Sequence, residues 1–265
     1  MNIWLMNGAI AVAAVLVLTG AFFFVATRGT LLVRGLSSAQ NSEKSHVHVY
    51  PLYSDMRLIK LVDFQPVISA ILLFQYHRLV SKIVAGLART DLRNKRVLIT
   101  SCAFGNVIPR VVDAALAAGA GRVLVADIIH NELVHAETKL KQYAGKVEFI
   151  ENNATAMAQP DGVAAANVMF FLLHELPHEL KARALSEAGR MLEPGGRLYL
   201  AEFHRPELWV LRALGWTYFK VFEPFGLALW DKHDPLKWLE QAGGWSCERT
   251  TYLFGNFQVI TATKL

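Results

Sequence analysis

The chain has 265 residues, a hydrophobic fraction of 53% and a formal net charge of +5. This length supplies one full hydrophobic core with room for one small further segment, and the two distant cysteines exclude a disulfide framework or a cysteine metal site. Residues 27–96 carry 11 Lys and Arg against 4 Asp and Glu, so the remainder is slightly acidic, which argues against nucleic acid as a partner.

Residues 3–26 form an uncharged apolar stretch, long enough to cross a bilayer as one helix. Arg28 and Arg34 follow it, and by the positive-inside rule the rest of the chain faces the cytoplasm or the mitochondrial matrix. The alternative, a cleaved signal peptide, lacks a basic start and a clear cleavage site. We therefore predict a single-pass membrane protein, with an anchor at 1–27 and a basic linker at 28–54 that faces anionic lipid.

The remaining residues, 55–265, are predicted to form one domain that opens with a lid helix at 63–89. Asp63 is a typical helix cap, Pro66 lies near the start, and apolar residues continue through Leu87. A narrow polar stripe runs along this otherwise apolar helix. Two interpretations remain: a helix that only packs over the sheet, or a lid that also touches the membrane surface.

Residues 95–132 read as a strand, a small-residue turn at 101–106, an Ala-rich helix and a second strand that ends in Asp127. This order is typical of a nucleotide-binding α/β sheet, in which the ligand lies beyond the carboxyl ends of the strands. Asp127 is placed to accept hydrogen bonds from ribose hydroxyls. Only Gly105 remains where such turns often carry three glycines.

Further strands are predicted at 146–150, 164–173 and 197–202, with a helix at 179–192 that ends at Pro-Gly-Gly. Strands that alternate with helices indicate parallel pairing, and a hairpin at 247–263 indicates an antiparallel edge. An aromatic insert at 206–235 interrupts the alternation. The predicted fold is α/β, a mostly parallel Rossmann-like sheet with one antiparallel edge and an N-terminal transmembrane helix.

His174 and Glu175 follow the fourth strand, and His204 follows the fifth. Adjacent parallel strands would bring these three side chains together. Histidine and carboxylate suit both acid–base catalysis and a divalent metal such as manganese. Alternatively, His174 only orients the loop after its strand.

Four segments and one phrase resemble a known family. Arg-Met-Leu-Glu-Pro-Gly-Gly-Arg-Leu-Tyr-Leu (190–200) is similar to a phrase in class I S-adenosylmethionine (SAM) dependent methyltransferases. A closer resemblance, to the rhodoquinone-biosynthesis methyltransferase-like family related to quinone C-methyltransferases, rests on residues 97–110, 169–177, 202–206 and 222–230.

This resemblance implies SAM as cofactor, with manganese, in an exchange of an amino group for a methoxy group that converts ubiquinone to rhodoquinone. It also implies a set of cofactor-binding residues at the strand ends: Ser101, Cys102, Ala103, Gly105, Asn106, Asp127, Ile128, Asn153, Ala154 and Phe170. Asn153 would read the adenine amino group; the alternative is a turn asparagine. Ordinary class I enzymes carry an acid at Ile99 and glycines at Ser101 and Ala103, so this turn departs from them.

The aromatic insert offers flat apolar surfaces for a quinone ring and its isoprenoid tail, and Phe225, Trp230 and Tyr252 are the predicted substrate contacts. The leading hypothesis is a membrane-anchored SAM-dependent transferase that acts on a membrane quinone. An ordinary C- or O-methyltransferase is the first alternative. A scaffold or quinone-binding protein without turnover is the second, and the glycine-poor turn supports it.

Overall fold

The computed structural model describes residues 55–221 and 223–265, so the predicted anchor and basic linker lie outside the described residues. We number the helices and strands in chain order. The helices are α1 Met56–Asp63, α2 Gln65–Ile71, α3 Tyr76–Leu87, α4 Val107–Ala117, α5 His130–Lys139, α6 His178–Met191, α7 Trp209–Val221 and α8 Pro235–Ala242. The strands are β1 Arg96–Thr100, β2 Arg122–Asp127, β3 Val147–Glu151, β4 Ala164–Phe170, β5 Leu192–Phe203, β6 Trp245–Tyr252 and β7 Phe257–Lys264.

The strands form one seven-stranded sheet in the order β3-β2-β1-β4-β5-β7-β6. The first five strands of that order pair in parallel, whereas β7 runs antiparallel to both β5 and β6. The order reverses between β1 and β4, which creates a crevice at their carboxyl ends. The predicted parallel sheet with an antiparallel edge is confirmed.

Alternate residues of each strand supply the two faces of the sheet. On β1, Val97 and Ile99 pack into the cluster that contains α3 and α4, while Leu98 faces the opposite side. Leu198 and Leu200 of β5 pack against the cluster that contains α6 and α8. Because both faces are covered, the central strands are almost continuously apolar, as expected for parallel pairing.

The predicted lid helix is wrong as a single element, because the chain breaks it into α1, α2 and α3. Phe64 is extended and separates α1 from α2, and Pro66 lies in the first turn of α2, where its fixed φ and missing N–H suit the start of a helix. Leu73 and Phe74 adopt positive φ angles of 48° and 59°. This left-handed turn bends α2 from α3 by 97°.

Within residues 55–221 and 223–265, no single helix has the length and hydropathy needed to cross a bilayer. The bent pair of α2 and α3 passes that test only when its two arms are taken together.

The fifth strand starts earlier than predicted. Leu192 pairs with Ala164, and Arg197 pairs with Ala166, so four residues of β5 bulge out opposite a single residue of β4. The Pro-Gly-Gly sequence lies in this bulge, where Gly195 has a φ of 77°. A bulge absorbs extra residues without ending the strand, which explains why a strong stop signal lies inside β5.

Candidate active site

A cleft opens at the carboxyl ends of β1 to β4, at the reversal of the strand order. It is lined by Thr100, Ser101, Cys102, Ala126, Asp127, Ile128, Ile129, Glu132, Asn152, Asn153, Ala154, Thr155, Met157, Leu172, Glu175, Leu176, Pro177 and Leu180. Seven of the predicted site residues are among them: six cofactor residues and Glu175. Ala103, Gly105, Asn106, Phe170, His174 and His204 are not.

Asp127 ends β2 as predicted, and its carboxylate is already well supplied with donors. One oxygen accepts from the Cys102 amide at 2.5 Å and the Ser101 hydroxyl at 3.3 Å, and the other accepts from the Ile129 amide at 2.8 Å. Burial raises the pKa of Asp127, and these hydrogen bonds oppose that rise. The Asp127 side chain is therefore held rigidly in the wall of the cleft. Its Oδ1 accepts one hydrogen bond, so a second lone pair can accept from a ligand hydroxyl.

The turn after β1 is held by side chains of the N-terminal helices. The Gly105 amide donates to Asp63 Oδ1 at 2.8 Å, and the Asn106 amide donates to Gln65 Oε1 at 3.1 Å. Lys139 lies 2.6 Å from the same Asp63 oxygen. A carboxylate is thus bound at the amino end of α4, and it comes from the protein itself.

Gly105 is required by a protein contact. Its φ is 79°, and a Cβ atom there would lie 2.5 Å from the Tyr76 hydroxyl. That hydroxyl donates to the Phe104 carbonyl at 3.0 Å. Phe104 itself packs against the main core. The single glycine that the turn retains therefore makes room for α3.

Asn153 lines the cleft, but its amide oxygen is engaged locally. It accepts from the backbone amide and the hydroxyl of Thr155, both at 2.9 Å. This geometry is that of a turn asparagine, the alternative considered for it. Its assignment to the adenine amino group stays a prediction.

Glu132 is a cleft residue that sequence reasoning missed. It lies in the first turn of α5 and is only 3% exposed, yet its Oε1 has no hydrogen-bond partner among the described residues. Burial, together with the charges of Asp127 and Glu175, raises the pKa of Glu132 to about 9. An acid in the first turn of a helix ordinarily interacts favourably with the helix dipole at the surface, so nothing in the sequence pattern indicates that Glu132 is buried.

His174 forms a buried pair with Glu202, the second-last residue of β5. His174 Nδ1 lies 3.1 Å from Glu202 Oε1, and the backbone amides of His174 and Phe203 also donate to this carboxylate. Burial alone lowers the pKa of His174, but the Glu202 charge and hydrogen bond outweigh it and raise the pKa to about 9. A carboxylate that orients a histidine is a recurrent acid–base arrangement, so the catalytic prediction for His174 is retained.

Lys181 fixes the loop that carries His174. Its ammonium is 2% exposed and donates to the carbonyls of Leu173 and Leu176. Burial lowers its pKa to about 8. These two hydrogen bonds hold the loop between β4 and α6 in place, which supports a positioning role for Lys181.

His204 points away from the His174 pair and toward the β6–β7 hairpin. Its Nδ1 donates to the Gly255 carbonyl at 2.7 Å, and its Nε2 lies 3.2 Å from Arg249. Within the described part of the chain, no group of three or more His, Cys, Asp or Glu side chains could hold a metal. The predicted metal set of His174, Glu175 and His204 is therefore not supported, because the residues present do not fit such a site.

The three predicted substrate contacts lie in different surroundings. Phe225 meets the His178 ring edge-on at 5.6 Å, and Trp230 meets Phe219 at 5.7 Å. Tyr252 stacks under the Arg78 guanidinium at 5.7 Å. Their assignment to the substrate stays a prediction.

This sheet order, with an acid after β2 and a cleft at the strand reversal, defines the Rossmann-like fold of SAM-dependent methyltransferases. The profile of the ubiE/COQ5 methyltransferase family matches residues 61–248, and the chain belongs to that family.

Individual relatives agree with this assignment. The chain is 30% identical over 125 residues to the ubiquinone/menaquinone biosynthesis C-methyltransferase UbiE of Marinomonas sp., covering 46% of this chain and 49% of that protein. It is 28% identical over 142 residues to the demethylmenaquinone methyltransferase of Bacillus licheniformis, covering 53% and 59%. The matches thus span about half the length of these relatives.

A solved SAM-dependent methyltransferase from Aquifex aeolicus superposes on this fold with a TM-score of 0.55 at 18% identity. The superposition covers 80% of this chain and 99% of that one. At this identity the likeness shows the fold alone.

The cleft suits the charge of SAM. In the part of the chain that the structure describes, its lining residues include Asp127, Glu132 and Glu175 and no Lys, Arg or His. SAM supplies an activated group on a positively charged sulfur, and an acidic wall with an unpartnered carboxyl oxygen favours a cation. Asp127 and Glu132 are the side chains that would hold it.

Proposed function

We propose that this protein transfers a group from SAM to the ring of a membrane quinone. The observation that carries the proposal is the acidic cleft at the strand reversal, in a chain of the ubiE/COQ5 methyltransferase family. The names of the two relatives support a quinone as the acceptor. The His174–Glu202 pair, at the ends of neighbouring strands, is the proposed acid–base group.

The reaction on the ring has two candidates. Ring C-methylation agrees with the names of the relatives. Exchange of an amino group for a methoxy group, which would convert ubiquinone to rhodoquinone, is favoured by the turn after β1, where Ser101 and Ala103 replace the usual glycines and no ligand-facing glycine remains. A manganese requirement belongs to that second candidate only.

Mass spectrometry of quinones distinguishes the two reactions. Cells that express the full chain are compared with cells that express the His174→Ala variant. Methylation adds one CH2 to a demethylated quinone, whereas the exchange lowers the mass of ubiquinone. Unchanged quinones, in cells that contain the folded protein, would contradict both.

A binding protein without turnover is the remaining candidate. It is favoured by the turn after β1, whose backbone amides already donate to side chains of the protein. The amides of Gly105 and Asn106 already serve Asp63 and Gln65. Calorimetry with SAM separates this candidate from the enzyme. We expect binding by the wild type and at least tenfold weaker binding by Asp127→Asn, and an unchanged dissociation constant would refute the role of Asp127.

We further propose that the protein is anchored in the membrane through residues 3–26, with the domain on the cytoplasmic or matrix side. Large apolar side chains exposed on the domain support contact with lipid: Trp209 at 72% and Trp216 at 54% on α7, and Phe74 at 75% in the α2–α3 turn. Tryptophan favours the bilayer interface. Carbonate extraction tests the anchor, since an anchored chain stays in the pellet, and protease protection tests the orientation.

A further inference from the structure

The inference concerns Glu132 and rests on the proposed use of SAM. Three acids line the cleft: Asp127, Glu132 and Glu175. Asp127 accepts three hydrogen bonds from Ser101, Cys102 and Ile129. Glu132 is 3% exposed, and its Oε1 has no hydrogen-bond partner among the described residues.

A buried carboxyl group without a partner is costly unless it stays protonated or meets a ligand. Among the described residues, no Lys, Arg or His lines the cleft beside it, so these lining side chains offer no counter-ion. A cation bound in the cleft would supply one.

We propose that Glu132 is a specificity-determining residue that distinguishes the cationic donor SAM from its neutral product, S-adenosylhomocysteine. Glu132 is a neutral carboxyl in the free protein. When SAM binds, the O–H bond of this carboxyl breaks, the proton passes to solvent, and the carboxylate remains as the counter-ion of the sulfonium. After group transfer the sulfur is neutral, Glu132 takes up a proton again, and the product is held less tightly.

The charged surroundings of Glu132 agree with this cycle. Asp127 at the end of β2, Glu175 after β4 and Asp63 in α1 all raise its pKa, and Lys139 on its own helix lowers it. Burial is the largest cause, and the pKa reaches about 9. The pKa of the nearby Cys102 thiol is also raised, by burial and by Asp127 and Glu132, so it adds no charge.

Calorimetry on the full chain tests the inference, with SAM and S-adenosylhomocysteine as probes in buffers of different ionisation enthalpy. We expect the wild type to release more protons with SAM than with the product. In Glu132→Gln, which has no proton to lose, this difference disappears and the SAM-to-product affinity ratio falls roughly tenfold, as for a pKa displacement of one unit.

A measurement on the wild type keeps the inference testable if Glu132→Gln folds poorly. Because SAM binds the ionised carboxyl, the SAM-to-product affinity ratio should rise with pH up to about 9. A flat ratio would overturn the role of Glu132, as would equal proton release in wild type and variant. Failure of the wild type to bind either compound would instead overturn the proposed function and this inference with it.

Discussion

Glu132 and Glu202 are both buried carboxyls, 3% and 0% exposed, but their surroundings differ. Glu202 accepts from two backbone amides and pairs with His174. Glu132 lines an acidic cleft, and one of its oxygens has no hydrogen-bond partner within residues 55–221 and 223–265. The comparison teaches that burial alone does not decide whether an acid stabilises a fold, because the partners decide it.

The largest expected effect comes from removing the partner of Glu202, the carboxyl group that is fully hydrogen-bonded. His174→Ala leaves the Glu202 carboxylate buried without its counter-ion, which costs about 3–5 kcal/mol of unfolding free energy. Urea denaturation measures this loss. The control is His178→Ala, an exposed histidine four residues on, where we expect a change below about 0.5 kcal/mol. Equal losses in both variants would contradict the pair's role.

The pH dependence of the same pair gives the next effect. The pKa of His174 is raised from 6.5 to about 9 in the folded state. Its stabilisation is therefore complete below pH 6.5 and lost as pH rises through about 9, by roughly 3 kcal/mol in total. Glu132 contributes a slope of the same sign, so the titration is repeated in Glu132→Gln. A profile that stays level in this variant would refute the raised pKa of His174.

For Glu132, the carboxyl group with an unpartnered oxygen, we expect a substitution to raise the free energy of unfolding rather than lower it. The pKa of Glu132 is raised from 4.5 to about 9, so above pH 4.5 the unfolded state ionises while the folded state holds its proton. Glu132→Gln removes this penalty, and we expect it to stabilise the fold by about 3 kcal/mol at pH 7, with no gain near pH 4.5. Thermal or urea unfolding at both pH values measures it.

The control for that variant is Glu137→Gln, an exposed acid on the same helix. It should shift the unfolding free energy by less than about 0.5 kcal/mol at either pH. Destabilisation by Glu132→Gln at pH 7 would show that Glu132 has a partner in the folded protein.

Asp63 is a third acid to compare with Glu132 and Glu202, because it is partly exposed and has several hydrogen-bond partners. Asp63→Asn weakens the contacts to Lys139 and to the Gly105 amide, and hydrogen bonds to charged groups contribute about 1.5–3 kcal/mol. Because asparagine keeps an acceptor, we expect a loss of about 1–2 kcal/mol. A double-mutant cycle with Lys139→Met isolates the pair, and additive losses would show that the two side chains are not coupled.

The smallest effect belongs to the exposed pair of Lys82 and Glu248, 3.1 Å apart. Water screens such a pair, so Glu248→Gln should cost less than about 1 kcal/mol, and less still in high salt. Urea denaturation at two salt concentrations measures it. If Glu248→Gln lowered the free energy of unfolding as much as His174→Ala, solvent exposure would not determine how much an ion pair contributes to stability.

The sheet could be predicted from the sequence because its signals are local. Runs such as 97–100 and 123–126 are apolar, end at small or acidic residues and alternate with helices. The breaks in the lid were missed because the positive φ angles of Leu73 and Phe74 are unusual for large side chains. Nothing in residue type marks such a turn.

The site was predicted in part for the same reason. Asp127 could be placed because a strand end fixes its position. The Asp63–Gly105 contact joins residues far apart in the chain, and spacing carries no information on it. The neighbouring strand ends placed His174 next to the end of β5, but the side chain that it meets there is Glu202 and not His204. Glu132 was missed because an acid early in a helix ordinarily faces water.

The position of β7 has a consequence for how the chain matures. It is the most carboxyl-terminal strand of the sheet, yet it lies between β5 and β6 and supplies the backbone next to Glu202 and Phe203. During synthesis on the ribosome, the edge of β5 that pairs with β7 has no partner strand until residues 257–264 emerge. A nascent chain halted before that point exposes an apolar strand edge of the kind that chaperones shield and aggregates recruit.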